Sequence, residues 1–244
     1  MVGWIFVLLL LGLLVLWFGL PHLLRRVEER RLARLCAARR AIVLSYDDGP
    51  GPALTPRLAD LLRHRGVSAS FFVIGQRAVA RPDLVARLHA EGHEIANHTQ
   101  AHANAWKVAP WTAPRDLRVG GRSLAGLGLT PLLFRPPYGK TTLATRRAGF
   151  AAKQRFAFWT VDSRDSWEEP RPIAAVLAMI RRQGGGVVLM HDCDAPPRLP
   201  NPGAHPDHIL ALTGAIIDLA AAEGFTMLTV GDLLGQETRG AVHG

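Results

Sequence analysis

The chain opens on an apolar run and then settles into an alternation. Residues 1–20 carry no charged or polar side chain; as one helix they would extend roughly 30 Å, about the hydrocarbon thickness of a bilayer, and they predict an N-terminal transmembrane helix. A cleaved secretory signal would want a basic start, an apolar stretch of about 7 to 15 residues and a small-residue cleavage site; the segment shows none of these. From residue 41 onward, short apolar or β-branched runs alternate with stretches of helical period. The predicted strands are 41–46, 69–74, 93–97, 132–134, 156–161, 186–190 and 225–230, with helices near 54–65, 80–91, 113–127, 142–149, 171–183 and 207–223. Gly66, Gly92, Gly128, Gly149, Gly184 and Gly224 stand at or just past the helix ends, where a left-handed cap favours glycine. Strands alternating with helices predict an α/β fold with a parallel sheet, open or closed into a barrel.

The polar residues choose between the two. Asp47 and Asp48 follow the first strand, His98 the third, Arg135 the fourth, Asp162 the fifth and His191 the sixth. Reactive side chains therefore gather at the C-terminal ends of five strands. A (β/α) barrel builds its site that way, whereas an open sheet gathers its ligand at one switch point, so a closed or nearly closed barrel is expected. No Gly-rich phosphate loop follows any strand. The stretch Cys193 to His208, with prolines at 196, 197, 200, 202 and 206, predicts a loop beside the site.

A length of 244 residues suits one catalytic core. The expected division is an anchor over 1–20, a basic juxtamembrane segment over 21–40, a catalytic domain over 41–235 and a tail over 236–244. The formal charge of +9 is concentrated, because residues 21–40 hold seven arginines against two glutamates. Such a segment reads as a collar touching anionic headgroups, and positive-inside logic favours the cytoplasmic face for a single-pass protein. A nucleic-acid binder would instead spread its basic residues over a folded face, so no nucleic-acid partner is expected. Cys36 and Cys193 lie in unlike settings and argue against a disulfide framework; Cys36 reads as a free thiol, with lipidation as the alternative.

His98 and His102 stand four apart in H-T-Q-A-H, so on a helical turn both imidazoles would face one ion. By itself the pair is ordinary surface chemistry. Asp48 supplies a third ligand, and two imidazoles with one carboxylate describe a catalytic metal site with open positions, suited to zinc and also to iron, cobalt or nickel. Its neighbour Asp47, in S-Y-D-D-G-P, is then placed to take a proton from water. Arg135, on the proline-stiffened R-P-P-Y-G, can aim a carboxylate through a bidentate pair. His191, in L-M-H-D, is a general-acid candidate, and Asp165 is the carboxylate that would tune it.

These stretches, S-Y-D-D-G-P, H-T-Q-A-H, R-P-P-Y-G, D-S-R-D and L-M-H-D in this order, resemble the polysaccharide deacetylase family, the NodB-like carbohydrate esterases, over residues 41 to about 234. The resemblance implies a distorted (β/α) barrel of seven or eight strands and a hydrolase that removes an N-acetyl or other N-acyl group from an amino sugar. It implies Asp47 as general base, Asp48, His98 and His102 as ligands of a divalent metal, usually zinc, and Arg135 as the residue positioning Asp47. It further implies the Tyr138 backbone N–H as oxyanion donor, His191 tuned by Asp165 as general acid, and Leu189 and Trp167 as the walls of the acyl pocket. Ser45 and Tyr46 replace the family's usual Thr and Phe, and Ser166 intervenes where Trp ordinarily follows the second Asp. The implied partner is an N-acylated glycan or, given the anchor and basic collar, a lipid-linked amino sugar. Deformylation of a lipid-linked sugar and O-acetyl ester hydrolysis are alternatives on the same residues. An inactive carbohydrate-binding homologue is a further one.

Overall fold

The structure, a computed structural model, describes residues 2–194, 196 and 202–235. The expected tail over 236–244, and Pro197 and Pro200 of the expected loop, lie outside the described residues.

The apolar run is not one regular helix. An α-helix, α1 (Val2–Leu14), ends in a π-helical turn (Val15–Gly19), after which α2 (Leu20–Arg39) begins. The 13 residues of α1 rise about 20 Å at about 1.5 Å each, short of a hydrocarbon core of about 30 Å. This corrects the expected transmembrane helix: among the described residues, no helix is long and apolar enough to cross a membrane. The expected juxtamembrane segment is the helix α2, packed onto the domain. Its Leu32 and Cys36 are buried against Val43, Phe72, Phe158 and Val187, and Arg39 and Arg40 donate to the carbonyls of Asp232 and Glu223. Cys36 is a buried free thiol whose pKa burial pushes up to about 12.

From there strands and helices alternate as expected. In chain order they are β1 (Ala41–Asp47), α3 (Leu54–Arg65), β2 (Ser70–Val73), α4 (Gly75–Ala80), α5 (Pro82–Ala90), β3 (Glu94–Asn97), α6 (Thr112–Gly126) and β4 (Leu133–Phe134). They continue with α7 (Leu143–Ala151), β5 (Arg155–Phe156), β6 (Val161–Asp162), α8 (Ile173–Gln183), β7 (Gly186–His191), α9 (His205–Glu223), β8 (Thr226–Met227) and α10 (Val230–Leu233). The helix α9 starts inside the expected proline-rich loop. Pro206 occupies its first turn, where the missing N–H has no intrahelical partner to lose. Gly149 lies within α7 rather than at its end. A Cβ there would fall 2.6 Å from the Phe156 ring, so glycine serves close packing at that position.

All the strand pairs are parallel, in the order β5-β4-β3-β2-β1-β7-β6, with β8 against the start of β1. The expected strand over 156–161 is two strands at opposite edges of the sheet. Only residues 157–160 join them, and a chain advances at most about 3.6 Å per residue, so the edges stand no more than about 18 Å apart. The sheet is therefore curved almost to closure but left open between β5 and β6.

The period of two along β1 sorts its side chains. Ile42, Leu44 and Tyr46 pack outward with Leu58, Leu62, Ile180 and Ile216 of the surrounding helices, and each such buried aliphatic contributes roughly 1.5–3 kcal/mol. Ala41 and Val43 point inward with Phe72, Val187 and α2. Ser45 and Asp47 continue that inner face towards its C-terminal end, which is why the chemistry collects there.

Candidate active site

Asp47 ends β1 and Asp48 leaves it in a left-handed turn, φ 71°, a conformation Asp tolerates better than most residues. The turn separates the two neighbours. Asp47 stays on the inner face, where Arg135 Nη1 donates to its Oδ1 at 2.7 Å. Asp48 Oδ1 instead lies 3.3 Å from His98 Nε2 and 3.0 Å from His102 Nε2.

His98 follows β3 and is buried; its Nδ1 donates to the Arg135 carbonyl at 2.7 Å, which leaves Nε2 facing Asp48. The expected helical turn through His98 and His102 is absent. The segment is an irregular loop with Thr99 at φ 69° and His102 at φ 60°. It is held by side chains: Asn97 Oδ1 accepts from the Thr99 N–H, and the Asp116 carboxylate accepts from the N–H groups of Ala101 and Ala103. The two rings thus come together at 5.0 Å between centroids for a reason other than helical spacing.

One ligand atom from each of Asp48, His98 and His102 lies within 4.8 Å of the others. Asp48 Oδ1 is buried and makes no hydrogen bond of good geometry. Burial opposes ionisation of Asp48, yet the two imidazoles hold its carboxyl well below the usual carboxylate range. Burial likewise opposes protonation of His98, and the Asp47 and Asp48 carboxylates overcome it and raise its pKa. The cluster draws positive charge, and two nitrogens with one carboxylate oxygen fit a divalent cation.

Arg135 is fully buried beneath this cluster. Desolvation lowers its pKa, opposed by Asp47, and the donors are well used. Nε donates to Ala157 O at 3.1 Å, Nη2 to Phe158 O at 3.3 Å and Nη1 to Ser45 Oγ at 3.0 Å, with the Phe72 ring centroid 3.9 Å away. The pair with Asp47 is a single hydrogen bond and not the expected bidentate one. Nε and Nη2 hold the segment joining the two edges of the barrel, to which Ala157 and Phe158 belong.

His191 ends β7, and its Nδ1 lies 3.0 Å from Asp165 Oδ1. The Asp165 carboxylate also accepts from the His191 backbone N–H at 2.9 Å, and Ser163 Oγ lies 2.7 Å from it. Burial disfavours the imidazolium, but Asp165 outweighs it and pushes the His191 pKa up to about 10. Asp165 itself is fully buried; burial raises its pKa, and His191 brings it below the ordinary value.

Tyr138 sits on the short turn after β4 at φ 58°, with its ring 4.7 Å from the His102 ring. Leu189 is buried on β7, and its carbonyl lies 2.7 Å from Ser163 Oγ. Trp167 is half exposed and lies under the Arg164 guanidinium, 5.0 Å from ring centroid to carbon. Asn97, Asp116 and Asp192 support the site without having been anticipated. Asp192 is buried under Gly49 and Gly51 with Thr55 Oγ1 at 2.8 Å, and burial pushes its pKa up to about 7. Asn97 and Asp192 each adjoin a motif histidine, a signal available in the chain. Asp116, on a distant helix, had none.

Residues 34–156 match the family model described as Polysaccharide deacetylase. The chain is 40% identical over 162 residues to a chitooligosaccharide deacetylase of Bradyrhizobium sp. (strain ANU 289), covering 63% of this chain and 71% of that protein. It is 32% identical over 196 residues to a peptidoglycan-N-acetylglucosamine deacetylase of Bacillus cereus, covering 79% and 87%. Among solved structures, a family 4 carbohydrate esterase from Streptomyces lividans in complex with acetate superposes with a TM-score of 0.65 at 30% identity, covering 78% of this chain and 91% of that one.

Proposed function

The chain belongs to the polysaccharide deacetylase family, and from that premise we propose that it is a divalent-metal-dependent hydrolase that removes the N-acetyl group from a glycan bearing N-acetylglucosamine. The observation that carries this reading is the convergence of Asp48, His98 and His102 beside an Asp47 held by Arg135. The names of the relatives, a chitooligosaccharide deacetylase and a peptidoglycan deacetylase, support the sugar.

Asp48, His98 and His102 would hold the metal, for which zinc is the leading choice and iron, cobalt or nickel also suit the donors. Held there, a divalent cation would supply Lewis acidity toward water and toward the amide carbonyl. Asp47 takes the proton of the attacking water. Its Oδ1 is committed to Arg135, so Oδ2 is the oxygen that receives it. The Tyr138 backbone N–H donates to the oxyanion as the carbonyl carbon becomes tetrahedral. His191, with Nδ1 engaged by Asp165, delivers a proton from Nε2 to the departing amine, so the C–N bond breaks to give acetate and a free amino sugar. Leu189 and Trp167 are proposed as walls of the acyl pocket.

Metal analysis of purified protein, joined to acetate release from chitooligosaccharides and peptidoglycan fragments, tests the reading. Stoichiometric divalent metal with amine-generating turnover is expected. Release of an alcohol instead would favour the O-acetyl esterase reading, and formate release from a lipid-linked sugar the deformylase. Metal-free protein without turnover on any of these would overturn the reading.

Attachment to a membrane is part of the same proposal. Trp4, Leu8, Leu11 and Leu16 present exposed apolar side chains, which suits burial at the headgroup boundary. Vesicle flotation of the protein against a Leu8→Asp, Leu11→Asp variant tests attachment. A reporter fused to the C-terminus tests which side the domain occupies, with the cytoplasmic face favoured by the arginine run.

A further inference from the structure

We infer that Arg25, on the N-terminal helix α2, is a positioning residue for the loop that carries Tyr138, and that this helix is thereby part of the catalytic apparatus. The inference rests on the deacetylase reading only for the role of that loop.

Arg25 Nη1 donates to the Gly139 carbonyl at 2.8 Å. Its Nε donates to Glu29 Oε1 at 2.6 Å, one helical turn further along, so the guanidinium is held from behind. The guanidinium carbon lies 4.8 Å from the Trp159 ring centroid and 5.2 Å from that of Phe158. A Cβ on Gly139 would overlap both the Arg25 guanidinium and the Trp159 ring, so the loop and the helix are fitted to each other there.

The loop needs such support. Tyr138 at φ 58° and Gly139 at φ 63° are both left-handed, and a bulky residue in that region persists only where its surroundings over-determine it. Within the loop, Gly139 N donates to Pro136 O at 2.9 Å and Lys140 N to Pro137 O at 3.0 Å. These bonds close the turn on itself without tying it to the rest of the domain. Arg25 adds such a tie. The same guanidinium packs on Phe158, whose carbonyl accepts from Arg135, the residue that holds Asp47. One side chain of α2 thus touches the supports of both the expected oxyanion donor and the expected base. The family match begins at residue 34, so the contact is made by a part of the chain outside it.

The test compares Arg25→Ala, Arg25→Lys and a control on the same helix, Arg30→Ala, at an exposed position. Each is read by kcat and KM on chitooligosaccharide and by amide hydrogen exchange of the segment 136–142. Misplacing a transition-state donor costs up to about 100-fold. Arg25→Ala is therefore expected to lower kcat by roughly 10- to 100-fold with KM within about twofold. Exchange in 136–142 should quicken while β1 and β7 stay protected, Arg25→Lys should reverse part of both effects, and Arg30→Ala should show neither. Unchanged exchange in 136–142 overturns the inference whatever the activity. A rise in exchange throughout the domain would make Arg25 merely structural and overturns it equally. If Arg25→Ala does not fold, Arg25→Lys is read by the same exchange and the same two results. A wild-type protein that releases no acetate, with loop exchange still dependent on Arg25, would remove the deacetylase reading and leave the tie in place.

Discussion

Asp47 and His191 are register partners on adjacent parallel strands, β1 and β7, and the next residue along, Asp192, donates its N–H to the Asp47 carbonyl. Register partners in a parallel pair face the same side of the sheet, so the expected base and the expected acid are set on the inner face by backbone hydrogen bonds alone. Their different roles come from what each touches: a guanidinium for Asp47 and a buried carboxylate for His191.

Asp47→Asn keeps the size of the side chain and the contact with Arg135 while removing the proton acceptor. Metal content is expected to be unchanged and kcat to fall by about 10²- to 10⁴-fold. Elemental analysis beside acetate release checks both, and a variant that still turns over would remove Asp47 as the base.

His98→Ala removes a proposed ligand whose other nitrogen is anchored on the Arg135 carbonyl. Divalent-metal binding is expected to weaken by at least 10- to 100-fold, measured by competition with a chromophoric chelator. Wild-type affinity in this variant would place the metal elsewhere.

Asp165→Asn tests the origin of the His191 shift. Because Asp165 raises the His191 pKa from 6.5 to about 10, the imidazolium is stabilised by folding. That stability is fully present below the unfolded value and is lost as pH rises through about 10. Without the carboxylate, the basic limb of the kcat/KM profile is expected to move toward neutral pH by about one unit or more. An unmoved limb would mean that another group sets it.

Arg135→Lys retains the charge but has too few fixed donors for Ala157 O, Phe158 O, Ser45 and Asp47 together. Each buried acceptor left unpaired costs about 1–3 kcal/mol. Chemical denaturation is expected to show a loss of several kcal/mol, and a loss under about 1 kcal/mol would mean that water replaces the lost donors.

Much of this protein was legible in its residues. The short apolar run Ala41–Tyr46 and the glycines after α3, α8 and α9 marked strands and helix ends, because both signals are local. The meeting of Asp48, His98 and His102 was readable because Asp48 and His98 directly follow strands, although helical spacing is not what brings His98 and His102 together. Four-residue spacing suggested a helix, whereas Asn97, through the Thr99 N–H, and Asp116 of α6, through the N–H groups of Ala101 and Ala103, impose a loop. The apolar first twenty residues predicted one spanning helix, and no local signal announced the π-helical turn at Val15–Gly19.

The order of side chains along the chain by itself determined the α/β class and the chemical kinds of group collected at the sheet's C-terminal rim. These follow from short-range sterics and from the separation of oil from water. Tertiary structure alone decided that residues 156–161 divide between two edges of the barrel, that Arg135 holds the segment joining those edges, and that the arginine-rich segment is a helix whose Arg25 reaches the Tyr138 loop. Those outcomes depend on contacts between residues up to 114 positions apart, whose pairing is set by the closing geometry of the whole sheet and leaves no mark in any local window.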